Sequence, residues 1–253
     1  MTVVIIPFFL IIMNINTELP EIKGFQEVSL IDWEGKVSSI LFLGGCNFKC
    51  GFCHSKDLVL NYNNLETISF DVVESFLNSK KGWVDGVVIT GGEPTLYGQK
   101  LINLIQKIKE LGFLVKLDTN GTNPSLLKVL IDKKLIDYFA MDIKAPFEED
   151  HYKQATGADV NIDDIILSKD IIMNSGADYE FRTTFVPGGV DLGDIEKISA
   201  QISNAKKYCI QQFVPRDVLD PRFMQIKPYP EEYLNQAVVL ARQYVSKVVI
   251  RKN

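Results

Sequence analysis

The sequence predicts an α/β protein, a partial (β/α)6 TIM-like barrel of parallel strands with outer helices, on three observations. β-Branched and aliphatic runs alternate about six times with segments of helical periodicity, the pattern of parallel strands covered by helices. Most of those runs end in glycines or turn residues. The polar and glycine clusters of chemical interest follow the carboxyl ends of the runs, where the βα loops of a barrel gather on one rim. An open doubly wound sheet gathers its loops in a similar way, which leaves closure to the structure.

The elements follow in order. Residues 24–36 are polar and turn-rich, and 37–43 form an aliphatic strand that feeds a loop through Gly44-Gly45. Residues 70–78 read as a short helix and 86–90 as a strand, again ending in glycines, Gly91-Gly92. Leu101, Leu104, Ile105, Ile108 and Leu111 stand at helical spacing over 99–111, and Gly112 ends that helix. A strand at 114–117 runs into the turn Asp118-Thr119-Asn120-Gly121, and Pro124 sits where a helix to about residue 134 begins. Residues 137–143 are the next strand. Asn161 or Asp163 caps a helix that stops at Gly176, and the strand 178–185 is turned by Val186-Pro187-Gly188-Gly189. Leu192, Ile195, Ile198 and Ile202 mark a helix before the strand 208–213. The last helix, from 231 to about 245, carries Leu234, Val238, Ala241 and Val245 on one face, and 247–250 reads as a closing strand.

A chain of 253 residues suits one such domain. Its 46% hydrophobic and 23% charged content is that of an ordinary soluble globular protein. The net charge of -5 argues against a nucleic-acid surface and for small-molecule or protein partners. Residues 3–13 are apolar, but no Lys or Arg precedes Lys23, Pro7 interrupts the run, and it is too short to cross a membrane. Residues 1–23 therefore read as an N-terminal leader or a mis-assigned start, with Met13 as the alternative initiator, or else as a first strand or docking segment; 24–253 form a single domain. Clustered cysteines without a secretory signal point to metal or catalysis in a cytoplasmic protein rather than to disulfides.

Three of the four cysteines, Cys46, Cys50 and Cys53, fall within one loop at C-x3-C-x2-C spacing. Three thiolates suit three corners of an iron–sulfur cube, whose full ligation takes four, so one iron stays open to chemistry. Zinc is the alternative, but it wants four ligands, and only His54 or the distant Cys209 would complete the set. Cys209 lies in an apolar strand and reads as core, and His54 reads as a ligand, an acid or a structural partner of the loop. One βα unit later, the adjacent glycines of Gly91-Gly92-Glu93-Pro94 let the backbone approach a ligand, and the carboxylate suits an ammonium group. Asp118 and Asp142 are oxygen donors suited to a hard cation, and Lys144 suits a carboxylate. Read alone, these and Arg182 are exposed charges.

The cysteine loop, with the aromatic Phe52 just before its last cysteine, resembles the radical S-adenosylmethionine superfamily, and Thr90-Gly91-Gly92-Glu93-Pro94 matches its second motif. The resemblance implies a 4Fe-4S cluster on Cys46, Cys50 and Cys53, with S-adenosylmethionine chelating the open iron and Phe52 against its adenine. It implies reductive cleavage of that cofactor to a 5′-deoxyadenosyl radical. The chain is more closely similar to activating enzymes of glycyl radical enzymes. Ser29-Leu30-Ile31-Asp32, Gly35-Lys36, Gly45-Cys46-Asn47 and Cys53-His54 look like the longer anaerobic ribonucleoside-triphosphate reductase activating proteins. In that group Asp118, Thr119, Asp142 and Lys144 match segments near the methionine end of the cofactor, including a monovalent cation site, and Arg182 matches an arginine near its carboxylate and ribose. The partners implied are a glycyl radical enzyme, anaerobic ribonucleotide reductase first, and a reduced ferredoxin or flavodoxin-like electron donor, with no nucleic acid and no membrane.

The sequence departs from that pattern at Trp33-Glu34, where Tyr-Pro is usual, and at Ser55, where Asn is common. The pyruvate formate-lyase activating enzymes carry a late histidine at the cofactor, whereas Gln211-Gln212-Phe213 occupies the comparable strand here. Three alternatives stay open: a pyruvate formate-lyase activating enzyme, a radical enzyme with a small-molecule substrate such as 7-carboxy-7-deazaguanine synthase, and a non-catalytic iron–sulfur or zinc module.

Overall fold

The computed structural model describes residues 19–252, so the expected leader lies almost wholly outside the described residues. Eight strands form one sheet in strict chain order: β1 (Ile22–Ser29), β2 (Ser38–Leu43), β3 (Gly86–Gly91), β4 (Leu114–Thr119), β5 (Tyr138–Asp142), β6 (Asp178–Phe185), β7 (Tyr208–Gln212) and β8 (Val248–Arg251). β1 runs antiparallel to β2, and every later pair is parallel. A doubly wound sheet reverses its strand order part-way, and this one does not. It is a singly wound partial barrel, with β1 and β8 as its two edges.

Eight helices follow: α1 (Lys56–Leu60), α2 (Phe70–Ser79), α3 (Gln99–Glu110), α4 (Pro124–Asp132), α5 (Glu149–Thr156), α6 (Ile162–Met173), α7 (Leu192–Gln201) and α8 (Glu231–Ala241). The helix α1 was not among the expected elements, while α4 and α6 start where the sequence signals. Asn161 caps α6 by accepting from the Asp163 amide, Pro124 opens α4, and Asp191 and Asp194 form a reciprocal box at the start of α7.

The two faces of the sheet differ in chemistry. Outward residues such as Leu41, Ile89, Leu117, Phe139, Phe181 and Ile210 join the helices in the main apolar core. Inward residues alternate with them and include Lys116, Asp118, Asp142, Glu180 and Arg182, so the interior is filled by ion pairs rather than aliphatic layers. Glu180 is 1% exposed and meets Lys207 at 2.6 Å and Arg251 at 3.1 Å. Burial raises its carboxyl, but the cations around it outweigh that and hold it at about 2.

The end of the barrel remote from the βα loops is plugged by the β1–β2 connection. Trp33 packs on Ile40, Val88 and Tyr138, and Lys116 donates to the Asp32 carbonyl. Glu34 reaches across the open seam to Lys207 at 2.8 Å and Lys247 at 3.3 Å. The Trp33-Glu34 departure thus belongs to the floor of the barrel.

Two expectations are corrected. The stretch 24–36, read as polar turn, holds most of β1, which begins at Ile22, before the expected domain boundary at Gly24. Its pattern is weak because Gln26, Glu27 and Val28 face solvent on an edge strand. The helix α5 was not foreseen, because only Tyr152 and Thr156 of it are buried.

Candidate active site

The cysteine loop leaves the carboxyl end of β2 and is held from several sides. The Gly45 amide donates to the Leu58 carbonyl (2.7 Å), and the Lys49 amide to the Thr156 carbonyl (2.7 Å) at the end of α5. Asn47 donates to the Thr122 hydroxyl (2.9 Å) and accepts from the Asn120 side chain (2.8 Å). A strap following β7, residues 214–226, lies over the loop. The amides of Leu219 and Asp220 donate to the carbonyls of Cys53 (2.8 Å) and Gly51 (2.9 Å), and His54 donates to the Val214 carbonyl (2.9 Å). Phe223 sits so close to Gly51 that a Cβ there would stand 2.4 Å from its ring. His54 thus ties the loop to the strap.

The Gly-Gly motif is required by chain packing. A Cβ on Gly92 would lie 1.8 Å from the Gly45 carbonyl, and one on Gly91, at φ +129°, 2.1 Å from that of Leu43. Glu93 is 1% exposed. Its carboxylate accepts from the Thr95 amide (3.0 Å) and hydroxyl (2.6 Å), the Thr119 hydroxyl (2.8 Å) and the Asn120 amide (2.6 Å). It knots the loops after β3 and β4. Gly92→Ala is expected to lower stability by at least about 2 kcal/mol through overpacking, read as a fall in melting temperature of the purified chain.

Arg182 clasps two carboxylates on the inner face: its Nε donates to Asp142 (2.7 Å) and its Nη1 to Asp118 (2.8 Å). Lys144 donates to the second Asp142 oxygen (2.8 Å) and lies 5.9 Å from the Phe52 ring centroid. Burial by itself would push Asp142 up, but Arg182 and Lys144 outweigh it and hold the carboxyl well below the usual range. A guanidinium thus stands where the sequence suggested a hard cation. Among the described residues, Asp118 Oδ1 is buried without a hydrogen bond, and Lys116 stands 3.4 Å from it.

The rim groups expected from the sequence line one cavity of about 260 Å³. Cys46, Cys50, Phe52, Cys53, Gly91, Gly92, Glu93, Asp118, Thr119, Asp142, Lys144 and Arg182 are brought together there from five separate loops and strands. The family model described as the Radical SAM superfamily matches residues 40–200. The chain belongs to the radical SAM superfamily. It is 37% identical, over 91% of its length and 95% of the relative's, to MJ1227 of Methanocaldococcus jannaschii, whose name assigns it to the glycyl-radical enzyme activating enzymes. It is 26% identical to the pyruvate formate-lyase-activating enzyme of Clostridium pasteurianum, over 78% of this chain and 82% of that one. The fold is also that of Streptococcus suis SuiB bound to its precursor peptide SuiA, with a TM-score of 0.63 at 18% identity, over 84% of this chain and 48% of that one.

Radical SAM membership implies a 4Fe-4S cluster and S-adenosylmethionine, and the cysteine loop fits the cluster. Its three thiols are free and line the same cavity. A fourth zinc ligand is not at hand in the described residues, since His54 Nε2 meets the Val214 carbonyl and Cys209 is buried away from the cavity lining. Burial pushes the Cys46 thiol up to about 12 and Cys50 up to about 11. Neither ionises near neutrality without a metal centre to favour the thiolate.

Phe48 and Asn120 lie on the cavity wall within loops that the sequence placed on the rim, whereas Thr184 was not singled out and Gln211 was named only for its strand. Thr184 and Gln211 occupy inward positions of strands that had been recognised, and strand parity was the signal that could have found them. Cys209 is fully buried outside the cavity lining, as its core reading expected. No helix of the described residues is long and apolar enough to cross a membrane.

Proposed function

We propose that this chain activates a glycyl radical enzyme, with anaerobic ribonucleoside-triphosphate reductase as its partner, in the cytoplasm and with a reduced ferredoxin or flavodoxin-like protein as electron donor. The observation that carries the reading is the meeting of three free thiols and the expected cofactor contacts in one cavity. Near end-to-end likeness to MJ1227 supports the activase class. The reductase is preferred to pyruvate formate-lyase because β7 presents Gln211 and Gln212 where the formate-lyase activating enzymes carry a histidine.

When bound, the cluster and S-adenosylmethionine supply the radical that takes one hydrogen atom from a backbone glycine of the partner, leaving 5′-deoxyadenosine and a glycyl radical. The protein's share is to hold and to shield. Cys46, Cys50 and Cys53 hold the cluster on a loop fixed by its neighbours, while Phe48 and Phe52 exclude water beside it. Arg182, Asp142 and Lys144 form a charged wall that orients the amino-acid end of the cofactor, and Glu93 keeps the loops after β3 and β4 in register.

The test is anaerobic reconstitution with iron and sulfide, reduction, and addition of S-adenosylmethionine with each candidate partner. The expected result is 5′-deoxyadenosine in every case, and a glycyl radical by spin resonance with the reductase but not with formate-lyase. Absence of 5′-deoxyadenosine would sink the enzyme reading, and a radical on formate-lyase alone would reassign the partner.

A further inference from the structure

We infer that α5 is a clamp between the cysteine loop and the chain leaving β5: Tyr152 is the positioning residue for Lys144, and the helix end at Thr156-Gly157 positions Cys50. The inference rests on reading the cavity as the seat of the cluster and S-adenosylmethionine, and it adds residues that act on that seat from outside. No residue of α5 lines the cavity. Yet Tyr152 and Thr156, one helical turn apart, are both at 0% exposure. The rest of the helix is polar and contributes little to the core, so apolar packing alone does not explain its place.

Each of the two buried residues grips a different loop. The Tyr152 hydroxyl accepts from the Lys144 amide (3.3 Å), and it is the one hydrogen-bond partner of that amide among the described residues. The Ile143 amide still bonds to the Arg182 carbonyl (2.8 Å), so Lys144 is where the chain passes from the sheet to the grip of the helix. Its Nζ is then set 2.8 Å from Asp142. One turn further on, the Thr156 carbonyl accepts from the Lys49 amide (2.7 Å). Gly157, at φ +64°, ends the helix so close to the loop that a Cβ would stand 3.1 Å from the Lys49 carbonyl oxygen. Both peptide groups of Lys49 are thereby fixed, and the second of them leads into Cys50. The Thr156 hydroxyl donates to the Tyr152 carbonyl (2.7 Å), which ties the two grips together inside the helix. The offset between Cys50 and Lys144 is therefore carried by a single helical turn, about 5.4 Å of rigid backbone, rather than by two independent loops.

The test uses the full chain, reconstituted anaerobically. Tyr152→Phe removes only the hydroxyl and leaves the Lys144 amide unpaired; Gly157→Ala sets one methyl group against the Lys49 carbonyl. Each variant is read twice, as the KM for S-adenosylmethionine in 5′-deoxyadenosine release and as the rate at which an iron chelator strips the cluster. Tyr152→Phe is expected to raise the KM about tenfold, as when a buried donor loses its partner, with cluster loss within about twofold of wild type. Gly157→Ala is expected to speed cluster loss about tenfold, the lower end of the effect of disturbing a metal ligand's support, with the KM within about twofold. Either variant leaving its own readout unchanged overturns the inference. So does a parallel change of both readouts in both variants that follows the melting temperature, which would make α5 a support for the fold alone. A wild type that keeps its cluster but releases no 5′-deoxyadenosine indicts the reading of the cavity instead, and Gly157→Ala is still judged on cluster loss.

Discussion

Cys50→Ala abolishes S-adenosylmethionine cleavage and the visible absorption of the reconstituted cluster, while Cys209→Ala retains both. Cys50 is the most enclosed of the three thiols, at 6% exposure, and the described structure contains no substitute for it. Cys209 is sealed in β7, the His54 ring is committed to the Val214 carbonyl, and His151 stands on α5 beside Glu148. Loss of a direct ligand exceeds the roughly 10- to 100-fold cost of losing a ligand's supporting partner. Activity in Cys50→Ala should therefore lie below about 1% of wild type, measured as 5′-deoxyadenosine per iron bound. Retained cleavage would remove the cysteine loop from the chemistry.

Arg182→Leu lowers thermal stability by about 10 °C near neutrality, and the deficit shrinks as the pH is lowered. Removing the guanidinium leaves Asp118 and Asp142 together in the interior, a change worth about 3–5 kcal/mol when one partner of a buried pair is lost, or roughly 2–4 °C of melting temperature for each kcal/mol at this size. The sign with pH follows from Asp142. In the wild type its folded carboxyl lies below the unfolded value of about 3.9, so its contribution is present above that value and lost as pH falls below it. In the variant, burial is opposed by Lys144 alone, and the carboxyl moves up. Protonation then relieves the variant at a pH where the wild type still benefits from the charge. Melting curves at pH 7 and pH 5 check this: a gap that widens on acidification contradicts the clasp.

How much was legible varied with the range of the interactions. The three cysteines, the Gly-Gly turn and the βα alternation are local patterns, and the structure places each where the pattern implied. Lys116, Glu180 and Lys207 were not singled out, because one-dimensional alternation does not say that the second face of a strand lines a closed interior. The acceptor role of Glu93 was hidden because its donors come from Thr95, Thr119 and Asn120, two of them a whole βα unit away. Arg182 was found from its motif, but its two carboxylate partners lie 40 and 64 residues distant, so the clasp was not. The strap over the cysteine loop carries no helical or strand period, and nothing local in residues 214–226 announces a partner near residue 50.

That strap has a temporal consequence. Cys53 and Gly51 receive their closing hydrogen bonds from Leu219 and Asp220, which leave the ribosome long after the cysteines do. At about 5–20 residues per second the gap is roughly ten to thirty seconds. Throughout that interval the thiols belong to a loop whose outer cover has not yet been made.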